Sequence, residues 1–182
     1  ERKKSLLDIS LFKSTNSDNL TSLSEYISRM QDEQNEIFYI SGESVEQILT
    51  STQVEGFKSR GLEVLYMIDP IDEFWLPSMN EYEGKNFKSI TKGVVDLSKF
   101  DLKDDKETKK KKPATKKDID NLISEMKNHL GDKVKDIKSS QMLTDSPVCL
   151  TADEAEMDIH LERLMRQHKR LDKESKKILE IN

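Results

Sequence analysis

The chain has 182 residues, 34% hydrophobic and 36% charged, which is polar for a globular protein but leaves room for one large or two small cored domains. Its 30 Lys and Arg against 35 Asp and Glu leave a formal charge of -5, so the overall charge points to neither nucleic acid nor an anionic membrane. No apolar run approaches the roughly 20 residues needed to cross a bilayer, and the single cysteine, Cys149, excludes an internal disulfide framework.

Arg2 to Phe12 reads as the tail of a helix, and Asn16 to Asn19 as a polar break. Leu20 to Met30 carries a Ser cap signal ahead of a helical run. Glu36 to Ile40 (EIFYI) is β-branched and aromatic, the composition of a buried strand. Ser44 to Lys58 reads as one helix with apolar Val45, Ile48, Leu49, Val54 and Phe57, capped by Gly61. Glu63 to Ile68 (EVLYMI) predicts a second buried strand, Asp72 to Met79 a short amphipathic helix, Gly84 a turn, and Lys88 to Leu97 a last strand or two. Strand, helix and strand with short turns imply a right-handed βαβ unit.

The composition then changes. Lys103 to Asp118 holds eight lysines and four acids in sixteen residues, with no large apolar side chain. This reads as a solvated linker; a nucleic-acid patch would interleave aromatics and avoid acids. Lys117 to Leu130 has Ile119, Leu122, Ile123, Met126 and Leu130 at helical spacing, closed by Gly131. Val134 to Ser139 and Cys149 to Thr151 are short strand candidates, and Asp153 to Leu171 predicts a strong helix capped by Thr151 or Asp153. Ile178 to Ile181 reads as a strand whose partner lies beyond the end of the chain. The class is α/β (α+β), in two small layered units: residues 1–100, a charged linker at 101–116, and a mixed α/β unit at 117–182.

Catalytic chemistry is hard to find. The six glycines are scattered singly at turns, with no phosphate-cradling loop. His129, His160 and His168 lie on two helices, without the i,i+4 partner or cysteine a metal site needs. Asp72 and Glu73 are adjacent, so they point different ways on a helix and make a poor acid/base pair. Cys149 sits between Val148 and Leu150, the setting of a buried strand cysteine rather than a hydrolase nucleophile. No residue is assigned a catalytic or metal-binding role. On the predicted helix after Asp153, Met157, Leu161, Leu164, Met165 and His168 fall at offsets 0, 4, 7, 8 and 11 and form one face. That face is either ordinary core or a Met-containing surface able to grip varied apolar partners.

Several segments carry a resemblance. Tyr39-Ile40-Ser41-Gly42-Glu43-Ser44, Gly61-Leu62-Glu63-Val64-Leu65, Asp69-Pro70-Ile71-Asp72-Glu73 and Glu81-Tyr82-Glu83-Gly84-Lys85 resemble, in order, motifs of heat-shock protein 90 middle domains. Ser89-Ile90-Thr91-Lys92 continues them. Leu143-Thr144-Asp145-Ser146-Pro147, Leu161-Glu162-Arg163-Leu164-Met165 and Leu179-Glu180-Ile181-Asn182 resemble elements of that family's C-terminal domain. The chain is thus identified as a member of the heat-shock protein 90 molecular chaperone family, and Asp153-Glu154-Ala155-Glu156-Met157 resembles its bacterial, HtpG-type branch. Ile9-Ser10-Leu11-Phe12 and Thr50-Ser51-Thr52-Gln53 depart from the family pattern.

The resemblance implies a piece running from the end of the middle domain through most of the C-terminal domain. It implies an ATP-binding domain, with ATP and magnesium, before Glu1, and the dimer-forming helices of a homodimer after Asn182. A first residue other than Met is in keeping with a cut chain. The fragment itself is expected to need no cofactor and to reside in the cytoplasm, an organelle remaining open. Its partners would be unfolded or partly folded client proteins, not nucleic acid or membrane. The client-contact residues implied are Met157, Leu161, Leu164 and Met165, with Phe74 and Trp75 as a second patch; Trp75 anchoring its helix on the sheet is the alternative. Met157 and Leu164 are expected to be largely exposed. The competing reading is a structural relay between ATPase and dimer interface, with these faces buried as core.

Overall fold

The computed structural model describes residues 2–103 and 115–182. Most of the expected lysine-rich linker, residues 104–114, lies outside the described residues. Both helices and strands are present in mixed sheets, the α/β class expected.

Helix α1 (Arg2–Ile9) leads into strand β1 (Leu11–Ser14), which pairs antiparallel with the two-residue strand β2 (Thr21–Ser22). Helix α2 (Leu23–Ser28) starts on a capping box: Ser22 Oγ accepts from the Glu25 N–H at 3.2 Å, and Glu25 Oε2 accepts from the Ser22 N–H at 2.8 Å. Its Tyr26 is fully buried. The phenol donates to the Glu63 carbonyl and accepts from the Phe38 N–H, each at 2.9 Å, so α2 is bolted both to the strand that contains Phe38 and to the stretch around Glu63.

Strand β3 (Glu36–Ser41) lies in the middle of a six-stranded sheet, parallel to β4 (Leu65–Met67) on one side and to β6 (Lys85–Ser89) on the other. Burial on both faces explains its unbroken apolar run. Strand β5 (Glu81–Tyr82) closes one edge, giving the order β2-β1-β4-β3-β6-β5. Gly61, at φ +65°, ends the preceding helical segment as anticipated.

Three elements differ from expectation. The single helix predicted for Ser44 to Lys58 is broken into α3 (Val45–Leu49), a 3₁₀ turn (Thr52–Val54) and α4 (Glu55–Ser59). The hydroxyls between them explain the break: Thr50 Oγ1 donates back to the Gln47 carbonyl, and Ser51 Oγ accepts from the Gln53 N–H to cap a new turn. The predicted helix Asp72 to Met79 is one α-turn, α5 (Asp72–Trp75), tightened into a 3₁₀ turn (Leu76–Ser78) that contains Pro77. After Ser89 the chain leaves the sheet, so the strand expected to reach Leu97 ends eight residues early.

The second segment opens with α6 (Lys116–Leu130), whose capping box joins Thr115 and Asp118. Strands β7 (Asp136–Ser139), β8 (Val148–Thr151) and β9 (Ile178–Ile181) form a smaller sheet in the order β7-β9-β8. The expectation that Ile178 to Ile181 lacks its partner is overturned. Strand β9 is the central strand, parallel to β7 and antiparallel to β8. The long helix expected from Asp153 is corrected as well: α7 runs only Ile159–Gln167, with Asp158 as its cap. Asp153 Oδ1 instead accepts from the Ala155 N–H at 3.0 Å and forms a turn. At the other end Lys169, at φ +54°, turns the chain away before Leu171.

The two segments share a core. Phe38, Ile48, Val54 and Phe57 of the first pack in one cluster with Met142, Leu143 and Cys149 of the second. Gly56 permits the closest approach: its N–H donates to the Met142 carbonyl at 2.6 Å, and a Cβ there would lie 2.6 Å from that oxygen. Beside it, Glu55 Oε2 accepts from the N–H groups of Thr144, Asp145 and Ser146, each at 3.1 Å, while the Ser146 hydroxyl donates to Oε1. The carboxylate thus fills a nest of backbone donors in the Leu143-Thr144-Asp145-Ser146-Pro147 loop. Burial works to raise the Glu55 pKa, but the Ser146 hydroxyl and these N–H groups outweigh it and hold the group below its ordinary value.

A depressed carboxylate stabilises the fold at pH values above the ordinary 4.5 and loses that contribution as pH falls through the lower folded value. Glu55→Ala is therefore expected to cost about 2 kcal/mol in urea unfolding at pH 7. The gap between variant and parent should narrow when the measurement is repeated near pH 3.

Candidate functional site

Cys149 is buried, and burial first, then the charges of Glu180 and Glu55, push its thiol up to about 12. Little thiolate exists at neutral pH, which removes the basis for a nucleophile. Among the described residues no group of three or more His, Cys, Asp or Glu side chains is placed to hold a metal ion. Among them, too, no helix is long and apolar enough to cross a membrane.

The arrangement that stands out is how α7 is held. Asp158 and Glu162, four residues apart, are both buried and face the body of the protein. Asp158 Oδ1 caps the helix by accepting from the His160 N–H at 3.0 Å. Its Oδ2 accepts from Ser89 Oγ and, at 2.5 Å, from Thr91 Oγ1, side chains at the end of β6. Glu162 Oε2 pairs with Lys177 Nζ and accepts from Ser175 Oγ, while Oε1 accepts from the Ser175 N–H at 2.7 Å. Burial opposes ionisation of Glu162, but Lys177 and Ser175 overcome it and keep the pKa low. Burial lowers the pKa of the neighbouring His160 despite the nearby Asp158 charge.

A helix anchored through its acids has no need to bury its apolar side. Leu161, Leu164 and Met165 are accordingly only half-buried, and Met157, in the turn before the helix, is 40% exposed. Met157 and Leu161 line a groove of about 380 Å³ between α7 and the larger sheet. Opposite them stand Tyr39 of β3 and Phe87 of β6, whose rings meet edge to face at 6.5 Å between centroids. Trp75 backs this wall, 5.8 Å from Phe87 and 6.4 Å from Phe12, with its indole N–H donating to Asp72 Oδ1 at 2.8 Å.

Of the six residues singled out from the sequence, the fold brings Met157 and Leu161 into the groove and puts Trp75 behind it. Leu164 and Met165 lie further along α7 and do not line it. Phe74 is 54% exposed and does not line it either. Neither Met157 nor Leu164 is largely exposed as expected: Met157, in the turn before the helix, is 40% exposed and Leu164 is half-buried. Sequence reasoning missed Tyr39, Phe87 and Glu73, which complete the groove. The i,i+4 acids Asp158 and Glu162 were the one available signal for how the helix docks.

The family model for Hsp90 protein matches residues 1–182. The chain is 43% identical over 182 residues to the Chaperone protein HtpG of Wolbachia pipientis wMel, covering all of this chain and 29% of that protein. It is also 43% identical over 182 residues to the Chaperone protein HtpG of Paramagnetospirillum magneticum, again covering 29% of it. Identity to the protein of that name from Roseobacter denitrificans is 44% over 180 residues, covering 97% of this chain and 28% of that protein. The chain therefore spans less than a third of the length of these relatives. Matched by the family model from end to end, the chain belongs to the Hsp90 family.

Proposed function

We propose that this chain is the part of an HtpG-type molecular chaperone that grips partly folded client proteins and passes motion between an ATPase and a dimer interface held elsewhere in the parent. ATP with magnesium, homodimerisation and a cytoplasmic location are proposed for that parent by its kinship. The observation that carries client binding is the docking of α7 through Asp158 and Glu162, which leaves Met157 and Leu161 open toward Tyr39 and Phe87. Methionine is unbranched and polarizable, so such a wall adapts to different apolar side chains. Fully burying one such side chain contributes about 1.5–3 kcal/mol before the cost of ordering the client. A groove of this size therefore holds clients weakly, and rearranging paired protomers would change affinity by population shift.

A second reading, a relay without client contact, is favoured by the core shared across the segments and by the Glu55 nest. The two readings separate on one comparison. Binding of a partly unfolded protein is measured for the parent chain and for a Met157→Ser/Leu161→Ser variant of verified fold. Client binding through the groove is expected to weaken about tenfold in the variant. Equal binding, or none by either chain, would favour the relay.

A further inference from the structure

The outer flank of α7 and the run after it carry cations that neither the groove nor the docking of the helix uses. Arg163 to Lys176 holds six Lys and Arg against two acids, in a chain whose formal charge is -5. A helix dipole accounts for a cation in the last turn, here Arg166. It does not account for Arg163 in mid-helix, or for Lys169, which is exposed where the chain turns away at φ +54°. Arg163, Arg166 and Lys169 gather around an open hollow of about 560 Å³, with Leu171 and one acid, Asp172, in its lining. Arg163 also lines a smaller hollow, about 100 Å³, beside Gln47 and His160. The two hollows therefore adjoin at that guanidinium. Asp158 lines the smaller one too, but its oxygens already accept from Ser89, Thr91 and the His160 N–H.

We infer that these adjoining hollows form a docking track for an acidic, extended peptide segment of a partner protein, whose carboxylates meet Arg163 and Arg166. None of Gln47, His160, Arg163, Arg166 and Lys169 lines the groove of Met157 and Leu161. The inference thus goes beyond the client-binding reading and stands or falls without it. Charge and reach both support the fit. A guanidinium offers a planar fork of donors that matches a carboxylate. Arg163 Nη1 lies 3.9 Å from Glu43 Oε1, and Arg166 Nη1 lies 2.7 Å from Glu174 Oε2, with all four side chains half exposed. Exposed pairs of this kind contribute little to stability, so an incoming carboxylate can displace them. From His160 to Gln167 the helix rises roughly 10 Å at about 1.5 Å per residue, the length of about three extended residues. A short segment therefore reaches both hollows.

Other anions fit less well. The net negative charge of the whole chain repels an anion at long range, which leaves recognition to this local cluster. A nucleic-acid backbone carries a charge at every nucleotide and would meet Asp172 and Glu174 as well. Residues 163–176 also contain no aromatic side chain on which a base could stack. An anionic membrane would need exposed apolar anchors beside the cations, and Leu164, Met165 and Leu171, the apolar side chains of this stretch, are all half-buried.

The test uses the 182-residue chain at physiological salt, where exposed charges more than about 8 Å apart are screened. Two fluorescent, unstructured Gly/Ser peptides of equal length carry glutamates or glutamines at the same positions, and binding is followed by anisotropy. The glutamate peptide is expected to bind the parent about tenfold tighter than the glutamine peptide. That ratio should fall to about one in Arg163→Gln/Arg166→Gln and stay at about ten in Lys116→Gln/Lys117→Gln. The second variant removes the same charge from exposed positions on α6, and the fold of each is verified by circular dichroism. Equal binding of both peptides, no binding of either, or an equal loss in the α6 variant would overturn the inference. Oligouridylate, or phosphatidylserine vesicles, bound more tightly than the glutamate peptide and lost in Arg163→Gln/Arg166→Gln would overturn it too, making nucleic acid or membrane the occupant.

Discussion

Two buried carboxylates, Asp158 and Glu162, decide what the second half of this molecule presents to solvent. Buried acids are tolerable only when nearly every lone pair is met, and here hydroxyls, backbone N–H groups and one ammonium meet them. The partners lie far apart in the chain: Ser89 and Thr91 precede α6, whereas Ser175 and Lys177 follow α7. Satisfying both acids fixes the position of α7 against the large sheet and against the run into β9. With these two acids turned inward, the helix leaves Leu161, Leu164 and Met165 half-buried while Arg163 and Arg166 face solvent.

This anchoring links the groove to the junction between segments. Gly93 N–H donates to the Ala152 carbonyl at 2.8 Å, and Lys88 Nζ pairs with Glu154 at 2.7 Å, close to the turn that carries Met157. The Glu55 nest and the close approach at Gly56 hold the Met142 to Ser146 stretch from another side. The groove walls therefore belong to different segments stitched by polar contacts, so a shift of one segment against the other would change its width. On this geometry, the proposed client gripping and the proposed relay would both draw on the same junction.

Local physics was legible in the residues. The Ser22–Glu25 box, the doubly buried strand at Glu36 to Ile40 and the stop at Gly61 all follow from nearest-neighbour chemistry. Nonlocal competition was not legible. Thr151, Asp153 and Asp158 are all good helix caps, and the choice of Asp158 rests on hydroxyls more than sixty residues away. In the same way, β9 looked unpaired at the chain's end because its neighbours, β7 and β8, are separated from it by a loop and a helix. Of the groove, its Met157 and Leu161 wall could be picked out by helical spacing and resemblance. Tyr39 sits in a strand whose pattern reads as core, Phe87 lies just ahead of the strand predicted from Lys88, and Glu73 reads from the sequence only as half of a poor catalytic pair.

The central claim is that the apolar side of α7, together with the turn before it, is an open working surface. Methyl NMR of the chain, with a partly unfolded protein added stepwise, tests it most directly. The account requires the Met157 and Leu161 methyl signals to shift or broaden first, while those of the buried Met67 and Leu97 stay in place. If other methyl groups respond and those two do not, the groove is not the working surface proposed here.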